Sequence, residues 1–205
     1  SIFSANEEMT NVIGNLRIIN QKNELNKIFI DLKRFHHLSG QVENNNQNKK
    51  NISNRIFSII NSNPNLVVEY RDGKNNTALM ILSKYGIFKP VKLLLEKGVD
   101  PNIQNNDGDT ALIIASCFGR TAIVELLLNE GSQEGSQEGS QEVPVSERDI
   151  DKRTDPNIQN NLGDTALIIA SYFGRTDIVE LLMYHIRTNP NIQDKFGNTA
   201  LILSL

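Results

Sequence analysis

The chain has a single cysteine, Cys117, in 205 residues. That excludes an internal disulfide framework and fits a reducing compartment. Basic residues are not in excess: 21 Lys and Arg stand against 24 Asp and Glu. A protein that grips a nucleic-acid backbone needs cationic charge to release counterions, so nucleic acid is not an expected partner. Long hydrophobic runs are also missing. Stretches such as Ala111–Ala115 fall far short of the ~20 residues that cross a bilayer, so no membrane partner is expected. No signal-peptide pattern stands at the start. Catalytic parts are few. His36 and His37 are adjacent on a helix and face different ways, and with His185 they make a poor metal set. Gly131, Gly135 and Gly139 belong to a tandem tetrapeptide, not to a strand-to-helix phosphate loop. The expectation is a non-enzymatic chain without metal or cofactor.

What the chain does have is repetition. Asp100 to Leu128 and Asp155 to Met183 match at 25 of 29 positions, at an offset of 55. The four differences are Asp107/Leu162, Cys117/Tyr172, Ala122/Asp177 and Leu128/Met183. Cys117 is therefore a poor nucleophile candidate, since its sister copy has Tyr172. The triplet Thr-Ala-Leu begins at Thr77, Thr110, Thr165 and Thr199, with spacings of 33, 55 and 34. The middle spacing is 33 plus an insertion of 22. Self-similarity at such a period marks a stacked-repeat architecture.

Each unit has a physical rationale. Gly108 and Gly163 stand where a tight turn needs positive φ, and Asn75 takes that place in the first copy. Thr110 caps a short helix with Asp109 at its positive end. Ala111, Leu112, Ala115 and Ser116 give that helix a small-residue face, and Gly119 ends it. Ile123, Val124, Leu126 and Leu127 follow at helical spacing. Neither helix is long enough to be stable alone, so each unit has to stack on the next.

The 33-residue unit, with Gly108, Thr110, Leu112, Ala115, Gly119, Ile123, Val124, Leu126, Leu127 and Gly131 in phase, resembles the ankyrin repeat. The resemblance covers about residues 65–205. The family's usual Pro-Leu-His is Ala-Leu-Ile or Ala-Leu-Met here, which removes the hydrogen bonding of that histidine. The fold implied is all-α: an α-solenoid of stacked repeats with short β-hairpin loops and a helical N-terminal cap. The 27 asparagines, with many Ile and Lys, suggest a coding bias more than a functional choice. They give the chain a likeness to the ankyrin arrays of large DNA viruses of amoebae and of other intracellular parasites.

The organisation expected is a helical segment over 1–63, repeats over 64–98, 99–131 and 154–187, and a partial repeat over 188–205. Residues 132–153 form an insert with six acidic and three basic residues, expected to be disordered. It is either a tolerated product of tandem slippage or a partner-binding loop. At the N-terminus, Ser4 and Glu7 have capping-box spacing. A helix with Val12, Ile13, Leu16 and Ile19 on one face should follow. Asn23 should cap a second, carrying Leu25, Ile28, Phe29, Leu32 and Phe35, closed near Gly40. Residues 41–51 suggest a mobile loop. Ser53 to Asn61 should form a third helix, stopping before Pro64. Residues 23–63 would cap the array beneath the first helix; a separate small domain is the alternative. The chain starts at Ser1 and stops inside its fourth unit, which points to a fragment or truncated gene.

The resemblance implies binding through hairpin tips and first-helix ends. Carried onto this sequence, those positions are Arg71, Lys74, Asn76, Lys84 and Tyr85, then Gln104, Asp107, Asp109, Cys117 and Phe118. They continue as Gln159, Leu162, Asp164, Tyr172 and Phe173, then Gln193, Lys195, Phe196 and Asn198. Tyr85, Phe118 and Phe173 would form an aromatic ladder of interface anchors, or else half-buried helix-end packing. The implied function is protein–protein interaction. One alternative is a substrate receptor for a host ubiquitin ligase, its recruiting segment lying outside this chain. Another is a structural or virion component that self-associates through the open edge at Leu201, Ile202, Leu203 and Leu205. The cytoplasm of a host cell, or a virion, is the setting expected.

Overall fold

A computed structural model describes residues 2–37, 42–129 and 153–204, with side chains placed over 10–33, 47–129 and 153–204. The chain divides into two compact units, residues 1–70 and 71–205. The insert, apart from Arg153, lies outside the described residues, as do Gly40, Gly131 and the side chain of Phe35.

The first unit departs from expectation in its helix boundaries. Its first helix, α1, runs unbroken over Ile2–His37. Ser4 and Asn23 are therefore interior positions and not caps. The stretch from Asn20 to Asn23 contains neither Gly nor Pro, so nothing in it ends a helix. The stretch expected to be a mobile loop is helical: α2 spans Val42–Ser62. Its polar half rides on the apolar half, where Ile52, Ile56, Ile59 and Ile60 are buried. Pro64 does more than stop α2. It opens a short helix α3, Pro64–Val68, where a missing N–H costs nothing.

The core of this unit is Leu25, Ile28, Phe29 and Leu32 of α1 with those four isoleucines and Val67. Phe29 also meets Tyr70 at 4.5 Å between ring centroids. Gln21 Nε2 donates to Ser62 Oγ at 2.9 Å and pins the two helices beside the core. Val12, Ile13, Leu16 and Ile19 do share a face, but it is exposed instead of forming a cover. A 36-residue helix is roughly 54 Å long and a 21-residue partner roughly 32 Å, so α2 can cover only part of it.

The second unit is a two-layer helical stack. One layer is α4 (Ala78–Tyr85), α6 (Ala111–Cys117), α8 (Ala166–Tyr172) and α10 (Ala200–Leu203). The other is α5 (Phe88–Glu96), α7 (Thr121–Asn129) and α9 (Thr176–Tyr184). Helices pack within each pair and onto the next pair along both layers. The caps are as the sequence implies. Thr77, Thr110 and Thr165 side chains accept from the backbone N–H of Met80, Ile113 and Ile168 at 3.1–3.3 Å. Ala111, Leu112, Ala115 and Ser116 are almost wholly buried, as small residues between closely packed helices must be. Pro90 lies in the first turn of α5, where its missing N–H is harmless.

Hairpin tips connect the pairs, and here the loops differ from ladders of strands. Among the described residues the only strand-like pairing is one bridge, Arg71 to Thr77. Side chains close the tips instead. Asp72 Oδ1 accepts from the N–H of Lys74 and Asn76, and Asn105 Oδ1 from those of Asp107 and Asp109. Asn160 and Asp194 repeat the device at Leu162 and Asp164, and at Phe196 and Asn198. The same tips bond from repeat to repeat. Asn106 N–H donates to Lys74 O, Asn161 N–H to Asp107 O and Lys195 N–H to Leu162 O, at 3.0–3.1 Å.

Side-chain amides add further rungs. Gln104 Nε2 bonds Gly108 O in its own repeat and Gln159 O in the next, and Gln159 does the same with Gly163 O and Gln193 O. Asn102 Nδ2 donates to Arg153 O, while its Oδ1 accepts from Asp155 N–H at 2.8 Å. The stack is therefore back in register at residue 153, and the chain returns from the insert onto the preceding repeat. Within the repeats, the side chains of Asn102, Asn105, Asn160 and Asn161 thus have structural roles.

Gly108 sits at the tightest approach. Its φ is +78°, and a Cβ there would lie 2.6 Å from the backbone nitrogen of Asn161. Gly197 has a similar φ of +83° but open space around it. Gly108→Ala should therefore cost at least about 2 kcal/mol more stability than Gly197→Ala, because only the first adds a backbone clash to conformational strain. Urea unfolding of the two variants measures the difference.

Candidate partner-binding surface

The tips and the C-terminal ends of α4, α6 and α8 bring most of the expected positions onto one face. Lys74 Nζ lies 3.8 Å from Asp107 Oδ2. Both side chains are exposed, so this pair contributes roughly 0–1 kcal/mol. Lys84 Nζ sits 4.6 Å from the Phe118 ring centroid and 5.8 Å from that of Tyr85, which spreads one cation across two neighbouring repeats. The Cys117 thiol is pushed up by burial and by Asp109, against the opposing charges of Arg175 and Lys84. The hairpin acids thus face the helix ends.

The aromatic ladder loses its first rung. Tyr85 is 6% exposed, and burial together with the nearby Asp72 carboxylate raises its phenol pKa. It packs in the fold and is not an exposed anchor, because it sits one turn from the buried Leu82 beside Ile87. Phe118 is half-buried under Lys84. The exposed apolar surface is concentrated in the third repeat. Leu162 is 56% exposed, and Tyr172 is 66% exposed with its ring edge-on to Phe173, 5.0 Å between centroids. Phe196 is 80% exposed on the fourth tip. The near-identical copies differ only at positions that are exposed in the third repeat: Leu162, Tyr172, Asp177 and Met183. In the second repeat one of the four, Leu128, is buried.

Sequence reasoning missed Arg120 and Arg175. Arg120 Nε donates to Lys84 O at 2.8 Å, and Arg175 reaches back to Cys117 O at 3.3 Å. Each fastens the helix end of the preceding repeat. The signal was present: both arginines follow a helix-ending glycine in the Gly-Arg-Thr of the twin copies. Gly86 and Gly119 leave room for these side chains, since a Cβ at either would meet an arginine at 3.3 Å.

The carboxylates of this face are not equivalent. Asp109 is pushed above the ordinary range by burial, with Asp107 and Asp164 adding repulsion against a hydrogen bond from Asn160 and the charge of Lys74. Asp164 is raised by burial and by Asp194, against a hydrogen bond from Asn160. The link that steadies Asp109, Asn160 Nδ2 to Asp109 Oδ1 at 3.0 Å, has no counterpart one repeat on. There the asparagine is replaced by Asp194, which cannot donate from a carboxylate. At Asp194 itself slight desolvation is outweighed by hydrogen bonds from Asn198, Phe196 and Gly197, and its carboxyl sits below the ordinary range.

Among the described residues, no three of His, Cys, Asp and Glu come together as a metal set, and no helix is long and apolar enough to cross a membrane.

A family model described as ankyrin repeats (three copies) matches residues 38–138 and 145–205. Similar curated proteins include an ankyrin repeat protein of Acanthamoeba polyphaga mimivirus, 40% identical over 62 residues, 30% of this chain and 15% of that protein. One from fowlpox virus is 42% identical over 59 residues, 28% of this chain and 17% of its own length. A serine/threonine-protein kinase of Arabidopsis thaliana is 25% identical over 119 residues, 57% of this chain but 21% of the kinase. The chain thus spans about a fifth or less of the relatives it matches.

The carboxylates lead to two expectations. An acid whose folded pKa lies above its unfolded value binds its proton more tightly in the folded state. The cost of its charge is fully present above the folded pKa and fades as pH falls to the unfolded value. Asp109→Asn should therefore raise the melting temperature at neutral pH and lose that advantage below the ordinary carboxylate range. Asp194→Asn gives Asp164 a further donor in place of a like charge, so the Asp164 carboxyl should titrate lower than in the unaltered chain, as NMR of its side-chain carbon would read.

Proposed function

Because the chain belongs to the ankyrin repeat family, whose arrays are protein-interaction modules, we propose that it binds a partner protein through the face formed by its hairpin tips and first-helix ends. The single observation that carries this proposal is the exposed apolar surface of Leu162, Tyr172 and Phe173, which lie together on the tip and first-helix end of the third repeat. Large rings held on a scaffold lose little entropy when covered, so they suit interface anchors. Two of the four substitutions that set the third repeat apart from its twin fall here, at Leu162 and Tyr172. A ubiquitin-ligase receptor would use the same face for its target, and ligase components among the captured proteins would mark that role. Host cytoplasm or virion is the setting proposed, supported by the lone cysteine.

A second possibility, self-association, has its own observation. Tyr184, Ile186, Leu201 and Ile202 are all exposed at the far end of the stack. Light scattering over a range of concentrations tests it: a rising mass abolished by Leu201→Glu supports self-association, and a constant monomer mass counts against it.

For the main proposal, the test is capture from cell lysate with quantitative mass spectrometry. The baits are the unaltered chain and its Leu162→Ala/Tyr172→Ala/Phe173→Ala variant, matched by circular dichroism. One protein should be enriched on the first bait and reduced by about tenfold or more on the second. Identical captures on both baits would place binding elsewhere on the chain.

A further inference from the structure

The proposed face changes character along the stack. Its apolar surface lies on the third repeat, at Leu162, Tyr172 and Phe173. Immediately before and beside it stand Asp107, Asp109 and Asp164. Among the described residues, the cation within ion-pair distance of these carboxylates is Lys74, at 3.8 Å from Asp107. Asp109 and Asp164 are partly withdrawn from water; Asp109 is repelled by Asp107 and Asp164, and Asp164 by Asp194. Any partner that covers the apolar surface also strips water from this negative charge. An acidic partner would deepen the repulsion and a neutral one would leave it uncompensated, whereas a basic one relieves it. Packed helices lie roughly 8–10 Å apart, and an extended chain rises roughly 3.3 Å per residue. A segment crossing from the second repeat to the third therefore advances about three residues.

We infer that the occupant of this face is a short extended segment. It pairs a Lys or Arg with the Asp107 and Asp109 carboxylates of the second repeat, on the side that Asp164 flanks, and seats an apolar side chain on Leu162, Tyr172 and Phe173 about three residues away. The inference rests on the reading of this face as the binding surface and names the chemistry of its partner. Charge complementarity chooses among the segments that could cover the same rings.

The test is selection of a random short-peptide display library on the full chain, with counter-screening on the Leu162→Ala/Tyr172→Ala/Phe173→Ala variant. Clones lost in the counter-screen should carry a basic residue about three positions from a large apolar one. A synthetic peptide of their consensus should bind the Asp109→Asn/Asp164→Asn variant at least ~5-fold more weakly at low salt, with a smaller difference at high salt. Asparagine keeps the size of aspartate and an acceptor for Asn160, and an unchanged circular dichroism spectrum confirms the fold. Face-dependent clones that are neutral or acidic, or a consensus peptide indifferent to the two asparagines, would overturn the basic-segment inference while leaving the face as the binding surface. A selection that yields no face-dependent clone would overturn both.

Discussion

The second unit depends on one constraint: no repeat can satisfy its own hairpin. The tip of each repeat leaves backbone carbonyls and N–H groups that a pair of short helices cannot reach, and an unpaired backbone group away from water is costly. The neighbouring repeat supplies the partner. Asn106, Asn161 and Lys195 donate backbone N–H groups across the gap, and Gln104, Gln159, Asn102 and Asn157 bridge it with side-chain amides. Amides suit this role because one group both donates and accepts without the desolvation cost of a charge. The helices beneath follow from the tips. Once adjacent tips are tied, Leu112 and Leu167 face into the same shared core. An insertion between two repeats is then tolerated provided that the chain returns to the rung at Asn102, as it does at Arg153 and Asp155.

How much of this was legible depended on whether the signal was periodic. Four Thr-Ala-Leu triplets, the glycines at 108 and 163 and the Leu runs gave the repeats, their caps and their turns, because stacking forces each copy to repeat the same choices. The N-terminal unit has no such redundancy. Caps read from Ser4 and Asn23 were only local matches, and α1 runs through both because no Gly or Pro stands beside either residue to end the helix. The polar stretch over 42–51 also became helix: Ile52, Ile56, Ile59 and Ile60 anchor it from one end. Nor could the asparagine content say which of its side chains tie the tips: Asn102, Asn105, Asn157 and Asn160 do.

The candidate surface was legible as a set of positions but not as a set of exposures. Tyr85 and Phe173 occupy comparable places in sequence, yet one is buried and the other open. The end of the first helix in a repeat is covered or uncovered according to what its neighbour offers. Lys84 and Arg120 crowd the first junction, and Tyr172 turns its edge to Phe173 at the last. Electrostatic contrast along the face could not be read from a balanced net charge either. It arises because the hairpin acids fall on successive tips, and because Asp194 stands where the twin repeats have asparagine.

The central claim is that these cross-repeat bonds hold the proposed binding face rigid before any partner arrives. Amide hydrogen exchange at Asn106, Asn161 and Lys195 in the free protein tests it most directly. The account predicts slow exchange at all three, comparable with the core amides of α6 and α8. Fast exchange at these tips, with the helices still protected, would contradict it and make the face one that forms only on binding.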